Sequence, residues 1–330
     1  MDPRALLFAF APLASEEDRR AFLVAHLAER GLGPRVDAAG NVLAGEGPVW
    51  LLAHYDTVLP PTPIRERNGR WYAPAVGDNS SGVAVTLALA GREGLGVAFT
   101  VGEEGLGNLK GARAFFAEHR PRWAVAVDGY LGTLVPWAVG SVRLEARFLG
   151  PGGHAWGDRG RPSSSHALGL ALAALYALPL PPEAGLNAGR VWGGGAINAI
   201  PAEAGLWLDL RARTPEVLEA LYREARAALA EAAARAGVEV RIRLLGRRPA
   251  GATAPAPLAE AAEAAVREVG LRPEVRAAST DAAAAIEAGV PAISVGAYRG
   301  GGAHTPDEWV EPDSLVTGVR LLAALLGRLP

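Results

Sequence analysis

The chain has 330 residues, more than one hydrophobic core usually serves, so its length predicts two domains. Half of its residues are hydrophobic and 21% are charged, as in a folded chain rather than a disordered one. The 33 Lys and Arg against 35 Asp and Glu leave a net charge of −2, which argues against a general nucleic-acid binder, and the absence of cysteine excludes disulfides, thiolate nucleophiles and Cys-ligated zinc.

Lys110 is the single lysine, so nearly all positive charge is Arg, which reads as coding bias and carries no function. The apolar stretch within residues 1–20 is too short to span a bilayer and has no basic leader. No signal peptide or membrane partner is expected, and a cytoplasmic enzyme is the default class. Ser15 with Asp18 forms a capping-box-like start for a helix that stops at Gly31. A hairpin is expected about Ala38-Ala39-Gly40. Residues 48–54 (PVWLLAH) read as a buried strand, 80–90 as an apolar helix, 96–102 as a second strand, 110–119 as a helix and 123–127 as a third strand. Strands alternating with helices predict an α/β fold around an open, mostly parallel sheet.

Around Gly140 the texture changes. Residues 142–148 alternate apolar and polar, as a half-exposed strand does. A helix over 162–178, an alternating strand over 204–210, a long amphipathic helix over 215–236 and a strand over 238–244 complete a strand–helix–strand–helix–strand block. Beyond Pro249 the first texture returns, with an Ala-rich helix, a buried strand at 291–295 and a final helix from Pro312. The pattern predicts one sheet domain in two pieces, 1–138 and 246–330, interrupted by an inserted α+β domain, 139–245.

The chemistry-bearing residues fall at strand ends. His54 and Asp56 close the first buried strand, Glu103 and Glu104 follow the second and Asp128 the third. Asp78 lies in the helix-opening loop Gly77-Asp78-Asn79, and His304 in Gly302-Ala303-His304-Thr305 past the late strand. In an open α/β sheet ligands bind outside the carboxyl ends of the strands, so these groups are expected in one crevice. Acids crowded there repel one another unless cations neutralise them. Two histidines with several carboxylates suit Zn²⁺, Co²⁺ or Mn²⁺, and two ions roughly 3.5 Å apart could share a carboxylate and activate water between them. One of the neighbouring pair Glu103-Glu104 can then be a ligand and the other a general base.

The segments His54-Tyr55-Asp56-Thr57-Val58, Gly77-Asp78-Asn79, Gly102-Glu103-Glu104-Gly105, Asp128 and Ala303-His304-Thr305 resemble, in order, the motif set of the M20 metallopeptidases, over nearly the whole chain. That group includes peptidase T-like aminopeptidases, dipeptidases, carboxypeptidases and N-acyl amino acid deacylases. The resemblance implies two zinc ions bridged by Asp78, with His54 and Asp128 on one and Glu104 and His304 on the other. It implies Glu103 as the base that moves a proton from a bridging water to the leaving amine, and Asp56 as the group orienting the His54 ring. It also implies a cis Asp78–Asn79 peptide bond. The insert resembles the family's lid, which often dimerises, so a homodimer is expected. His154, in Gly152-Gly153-His154-Ala155, matches a lid histidine that stabilises the oxyanion, and Asn198 and Arg211 match lid residues that hold a substrate carboxylate.

Each residue alone also has an ordinary reading. His54 suits a strand end, Asp78 an Asx turn, Glu103-Glu104 a helix start, and Arg211 in Asp209-Leu210-Arg211 a surface ion pair. Asp281 fits a position near the site or a helix cap equally. His26, His119 and His166 lack acidic partners at ligand spacing and are taken as structural. The glycines of 105–111 lack the spacing of a dinucleotide loop. Trp71, Tyr72 and Tyr298 flank the motifs as pocket lining or as packing. Taken jointly and in order, the motifs predict a di-zinc hydrolase of di- or tripeptides, toward which an Asp at 128 tilts the reading. The alternative is a deacylase of N-acylated, including carrier-linked, amino acids. A non-catalytic peptide-binding relative is the minor alternative.

Overall fold

The computed structural model describes residues 1–329, which divide into two compact units, 1–138 with 252 onward and 139–251. The first unit is built on a mixed sheet. Its strands run in the order Arg35–Val36, Val42–Ala44, Leu95–Thr100, Val49–His54, Trp123–Val127, Ala292–Val295 and Thr133–Ala138, with Glu274–Ala278 beside the last. The four central strands are mutually parallel and the flanking pairings on either side of them antiparallel. Helices cover both faces, so the central strands are buried throughout and read as apolar runs. Along Val49–His54 the side chains alternate between two cores. Val49, Leu51 and Ala53 pack with the helices Pro3–Phe10, Ser80–Leu89 and Ser314–Leu326, whereas Trp50 and Leu52 pack with Phe115, Phe116 and Ala282 to Ala285.

The register levels the carboxyl ends of the strands. His54 lies opposite Thr100, Leu52 opposite Ala126, and Val127 opposite Val295. The loops that leave these ends therefore start from one rim.

The second unit is an antiparallel four-stranded sheet in the order Ala184–Gly193, Glu203–Ala212, Gly140–Leu149, Glu239–Arg248, with two helices, Ser164–Tyr176 and Pro215–Ala236, on one face. Alternate residues Val142, Leu144, Ala146 and Phe148 meet Leu206, Leu208 and Leu210 in a core of their own. The longer helix starts at Thr214, whose hydroxyl accepts from the Val217 N–H, and stops at Gly237 in the left-handed conformation. Two expectations need correction here. The insert ends at residue 251 rather than 245, because its last strand runs on to Arg248 past a bulge at Leu244/Gly246. It also holds a strand absent from the predicted block, Ala184–Gly193, whose sequence AGLNAGRVWG has too little alternation to announce itself. Among the described residues no helix is long and apolar enough to cross a membrane.

Candidate metal centre

His54 ends its strand with its ring almost fully buried. Its Nδ1 faces Asp56, 3.2 Å from the backbone oxygen and 3.6 Å from Oδ1, which leaves Nε2 to point at Asp78 Oδ1, 3.1 Å away. The other oxygen of Asp78 lies 3.0 Å from His304 Nε2, and that same nitrogen lies 3.1 Å from Glu104 Oε1. Asp78 thus presents one oxygen to each of two imidazoles, and ligand atoms of His54, Asp78 and Glu104 lie within 4.8 Å of one another. The Asp78–Asn79 peptide bond is cis, and Asn79 caps the helix that follows by accepting from the Gly82 N–H.

Glu103 and Glu104 are delivered by a turn after Leu95–Thr100. Gly102 adopts φ 68°, a left-handed conformation that glycine takes without strain. Asp56 holds this turn, its two oxygens accepting the N–H groups of Glu103 (3.2 Å) and Glu104 (2.9 Å). Asn41 holds it from the other side. The Asn41 amide oxygen accepts from Val101 N at 3.1 Å, and its amide nitrogen donates to the Gly111 carbonyl at 2.9 Å. Asp128 follows Trp123–Val127 and makes no hydrogen bond through its carboxyl to the other ligand candidates among the described residues. Burial, and then the negative charge of Asp78, push its pKa well above the usual carboxylate range, so it stands within electrostatic reach of the cluster.

The remaining titrations tell one story. Burial opposes a charged His54, yet its bonds to Asp56 and Asp78 carry its pKa well above that of free imidazole. The hydrogen bond to Asp78 raises His304 to about 9. Burial would raise Asp78, but the two imidazoles pull it far down. Burial, aided by Asp78 and Glu103, raises Glu104. These shifts share one origin, carboxylates and imidazoles held close together away from water. Imidazole nitrogens and carboxylate oxygens with no sulfur are also the donors of zinc, cobalt and manganese sites, so the residues present fit a divalent cation pair.

Three further groups surround the cluster. Asp281 opens a short 3₁₀ turn, but its side chain caps nothing. It is buried and accepts from Thr100 Oγ1 at 2.5 Å, and burial followed by the Glu103 charge pushes its pKa up to about 7. Arg19 is a buried cation that donates to Ser80 Oγ and lies 4.4 Å over the Phe10 ring. Glu308 accepts from the backbone of the Asp78 loop. Neither Arg19 nor Glu308 is marked by any sequence motif. Of the flanking aromatics, Tyr298 is 2% exposed and packs edge-on against Tyr130, while Trp71 packs against Phe8.

The insert carries the other three predicted residues. His154 lies on a short strand paired with Ala199–Ile200, and the Ala155 N–H donates to the Asn198 carbonyl at 2.8 Å, so His154 and Asn198 share one exposed corner. The N–H groups of Trp156 and Gly157 donate to His154 Nδ1. In the neutral ring the proton is therefore on Nε2, free to donate. Arg211 sits at the far end of Glu203–Ala212, its Nε donating to Asp209 Oδ2 at 2.9 Å.

Residues 50–328 match the profile of the peptidase family M20/M25/M40. Among solved structures, the aminopeptidase PepT from Bacillus cereus superposes with a TM-score of 0.80 at 20% identity, covering 99% of this chain and 96% of that one. A tripeptidase from Staphylococcus aureus gives 0.83 at 20% identity over 98% and 96%. The Bacillus subtilis YXEP protein, described as a dinuclear metal binding peptidase, gives 0.69 at 18% identity over 98% and 95%. In sequence, 146 residues are 36% identical to LysW-lysine hydrolase of Deinococcus radiodurans, a stretch that spans 37% of this chain and 40% of that protein.

Proposed function

Because the chain belongs to the peptidase family M20/M25/M40, with 50–328 matching it, we propose that it hydrolyses amide bonds of small substrates, di- and tripeptides first, at a two-cation centre. His54, Asp78, Glu104, Asp128 and His304 would hold the cations. The observation that carries this reading is the Asp78 carboxylate, which offers one oxygen toward His54 and the other toward His304, whose Nε2 also meets Glu104. When bound, zinc or a similar divalent ion polarises the substrate carbonyl and lowers the pKa of water toward ~7.

The chain's own residues do the rest. Glu103, buried beside the ligand Glu104 and fixed through its backbone by Asp56, takes the proton of the attacking water and returns it to the leaving amine. Asp56 fixes the His54 ring, so that Nε2 and not Nδ1 faces the cluster. His154 donates from Nε2 to the developing oxyanion. Asn198 and Arg211 bind the substrate carboxylate, Arg211 through a two-pronged contact that a guanidinium favours.

Chelation tests the centre. Thorough removal of divalent ions is expected to abolish turnover of short peptides, and Zn²⁺ or Co²⁺ to restore it; full activity in the stripped protein would rule the mechanism out. Glu103→Ala is expected to lose roughly 10²–10⁴ in kcat while keeping its cations.

The identity to a LysW-lysine hydrolase favours a second reading, release of an amino acid from an acylated or carrier-linked form. Turnover of acylated lysine or ornithine derivatives, with none of dipeptides, would put this reading first.

A further inference from the structure

The carboxylate of Glu308, four residues past His304, is 2% exposed and has no cationic partner among the described residues. Burying such a group is costly unless donors surround it. Here the donors are all backbone. Glu308 Oε2 accepts from Ala75 N at 2.8 Å, and Oε1 accepts from Gly77 N at 3.0 Å and Asp78 N at 2.7 Å. The backbone of Glu308 grips both sides of the same junction: its carbonyl accepts from Ala73 N at 3.1 Å and its N–H donates to the Thr305 carbonyl at 3.3 Å. The 73–78 loop is shaped to admit the carboxylate. Ala75 takes φ 60°, and a Cβ on Gly77 would lie 2.6 Å from Glu308 Oε1 and 2.8 Å from the Tyr298 ring.

One short segment therefore reaches Asp78 twice, the His304 imidazole touching its carboxylate and the Glu308 carboxylate holding its backbone N–H. We infer that Glu308 is a positioning residue that sets Asp78 and His304 at the separation a shared cation pair requires, ahead of any cation. The inference rests on the two-cation reading above. A group that fixes a ligand's orientation in this way typically changes cation affinity by 10–100-fold when it is removed.

The test is a calorimetric titration of the chelated 330-residue chain with Zn²⁺, repeated with Co²⁺ and followed by its visible absorption. Glu308→Gln is compared with wild type and with Glu311→Gln, a neighbour whose carboxylate pairs with Arg70. The amide of Gln would turn an N–H donor toward backbone donors. Expected are affinity lower by about 10–100-fold in Glu308→Gln, wild-type affinity in Glu311→Gln, and a fall in kcat with little change in KM. A folded Glu308→Gln that binds both ions as tightly as wild type overturns the inference alone. A wild-type protein that takes up no divalent ion overturns the two-cation reading, and this inference with it. Should Glu308→Gln not fold, hydrogen exchange of the chelated wild type decides. Amides of Ala75, Gly77 and Asp78 slower than those of the exposed Arg65–Arg67 strand support the clasp, and equally fast exchange overturns it.

Discussion

The Asp56 carboxylate faces the His54 ring on one side and receives the Glu103 and Glu104 N–H groups on the other, so one side chain links the end of the His54 strand to the turn that carries Glu103 and Glu104. Asp56→Asn keeps the size but offers one acceptor where two were used and turns an amide N–H toward backbone donors. We expect kcat/KM on a dipeptide to fall by about 10–100-fold with only a modest shift in thermal midpoint, measured by steady-state kinetics and calorimetry. The arms of the cluster are legible from sequence because His54, Asp78, Glu104 and His304 act through side chains placed just past apolar strands or in glycine-rich loops. Glu308 and Asn41 are not, because their partners are backbone groups 230 and 60 residues away, and no local spacing records such a contact. The trace that could have pointed to Glu308 is the bare Cα of Gly77, where any side chain would meet the carboxylate.

Among elements, the buried parallel strands are read well from sequence, since both faces are covered and the apolar runs are continuous. The short ones are not. The hairpin Arg65–Arg67 with Arg70–Tyr72 is announced only by Asn68-Gly69 at its turn, and Thr133–Ala138 contains a proline at Pro136. The open face of the inserted sheet holds a cross-strand cluster. Glu145 accepts from Trp207 Nε1 (3.0 Å), Arg147 Nε (2.9 Å) and Arg243 Nη2 (3.3 Å), with Trp207 and Arg243 directly opposite it in register. The Trp207 bond first, then the two guanidinium groups, hold its pKa down to about 2. A carboxylate depressed in the folded state stabilises above its unfolded pKa of about 4.3 and loses that contribution as pH falls toward 2. Glu145→Gln should accordingly unfold at lower urea than wild type at pH 7, with the gap closing between about pH 4.3 and 2. A gap that does not change with pH would mean the residue contributes packing alone.

At the scale of the whole molecule, the positions of the three insert residues are informative. His154 and Asn198 adjoin the Glu203 end of its strand, while Arg211 is near the other end, eight residues or about 26 Å along. A di- or tripeptide cannot span that gap, so the proposed use of all three on one substrate requires two copies of the chain. Light scattering is then expected to give a dimer. Mixing inactive His154→Ala with inactive Arg211→Ala, followed by subunit exchange, should return about a quarter of wild-type activity, because half of the dimers are mixed and each has one intact site. No recovery would mean that the three residues do not act together on one substrate. The sequence shows the insert as a unit by its alternating strands, but the distance between its motifs depends on strand direction, which only the pairing reveals.

The order of the central sheet has a consequence for synthesis. Ala292–Val295 lies between Trp123–Val127 and Thr133–Ala138, partners made more than 150 residues earlier. Until the ribosome has passed the insert, the growing chain carries a half-built sheet with an unfilled slot and bare backbone donors along Trp123–Val127, the kind of edge that recruits stray strands. A topology so rich in distant pairings also folds slowly. His304 emerges later still, so the acids of the cluster exist in a nascent chain before the second imidazole that faces Asp78 and Glu104.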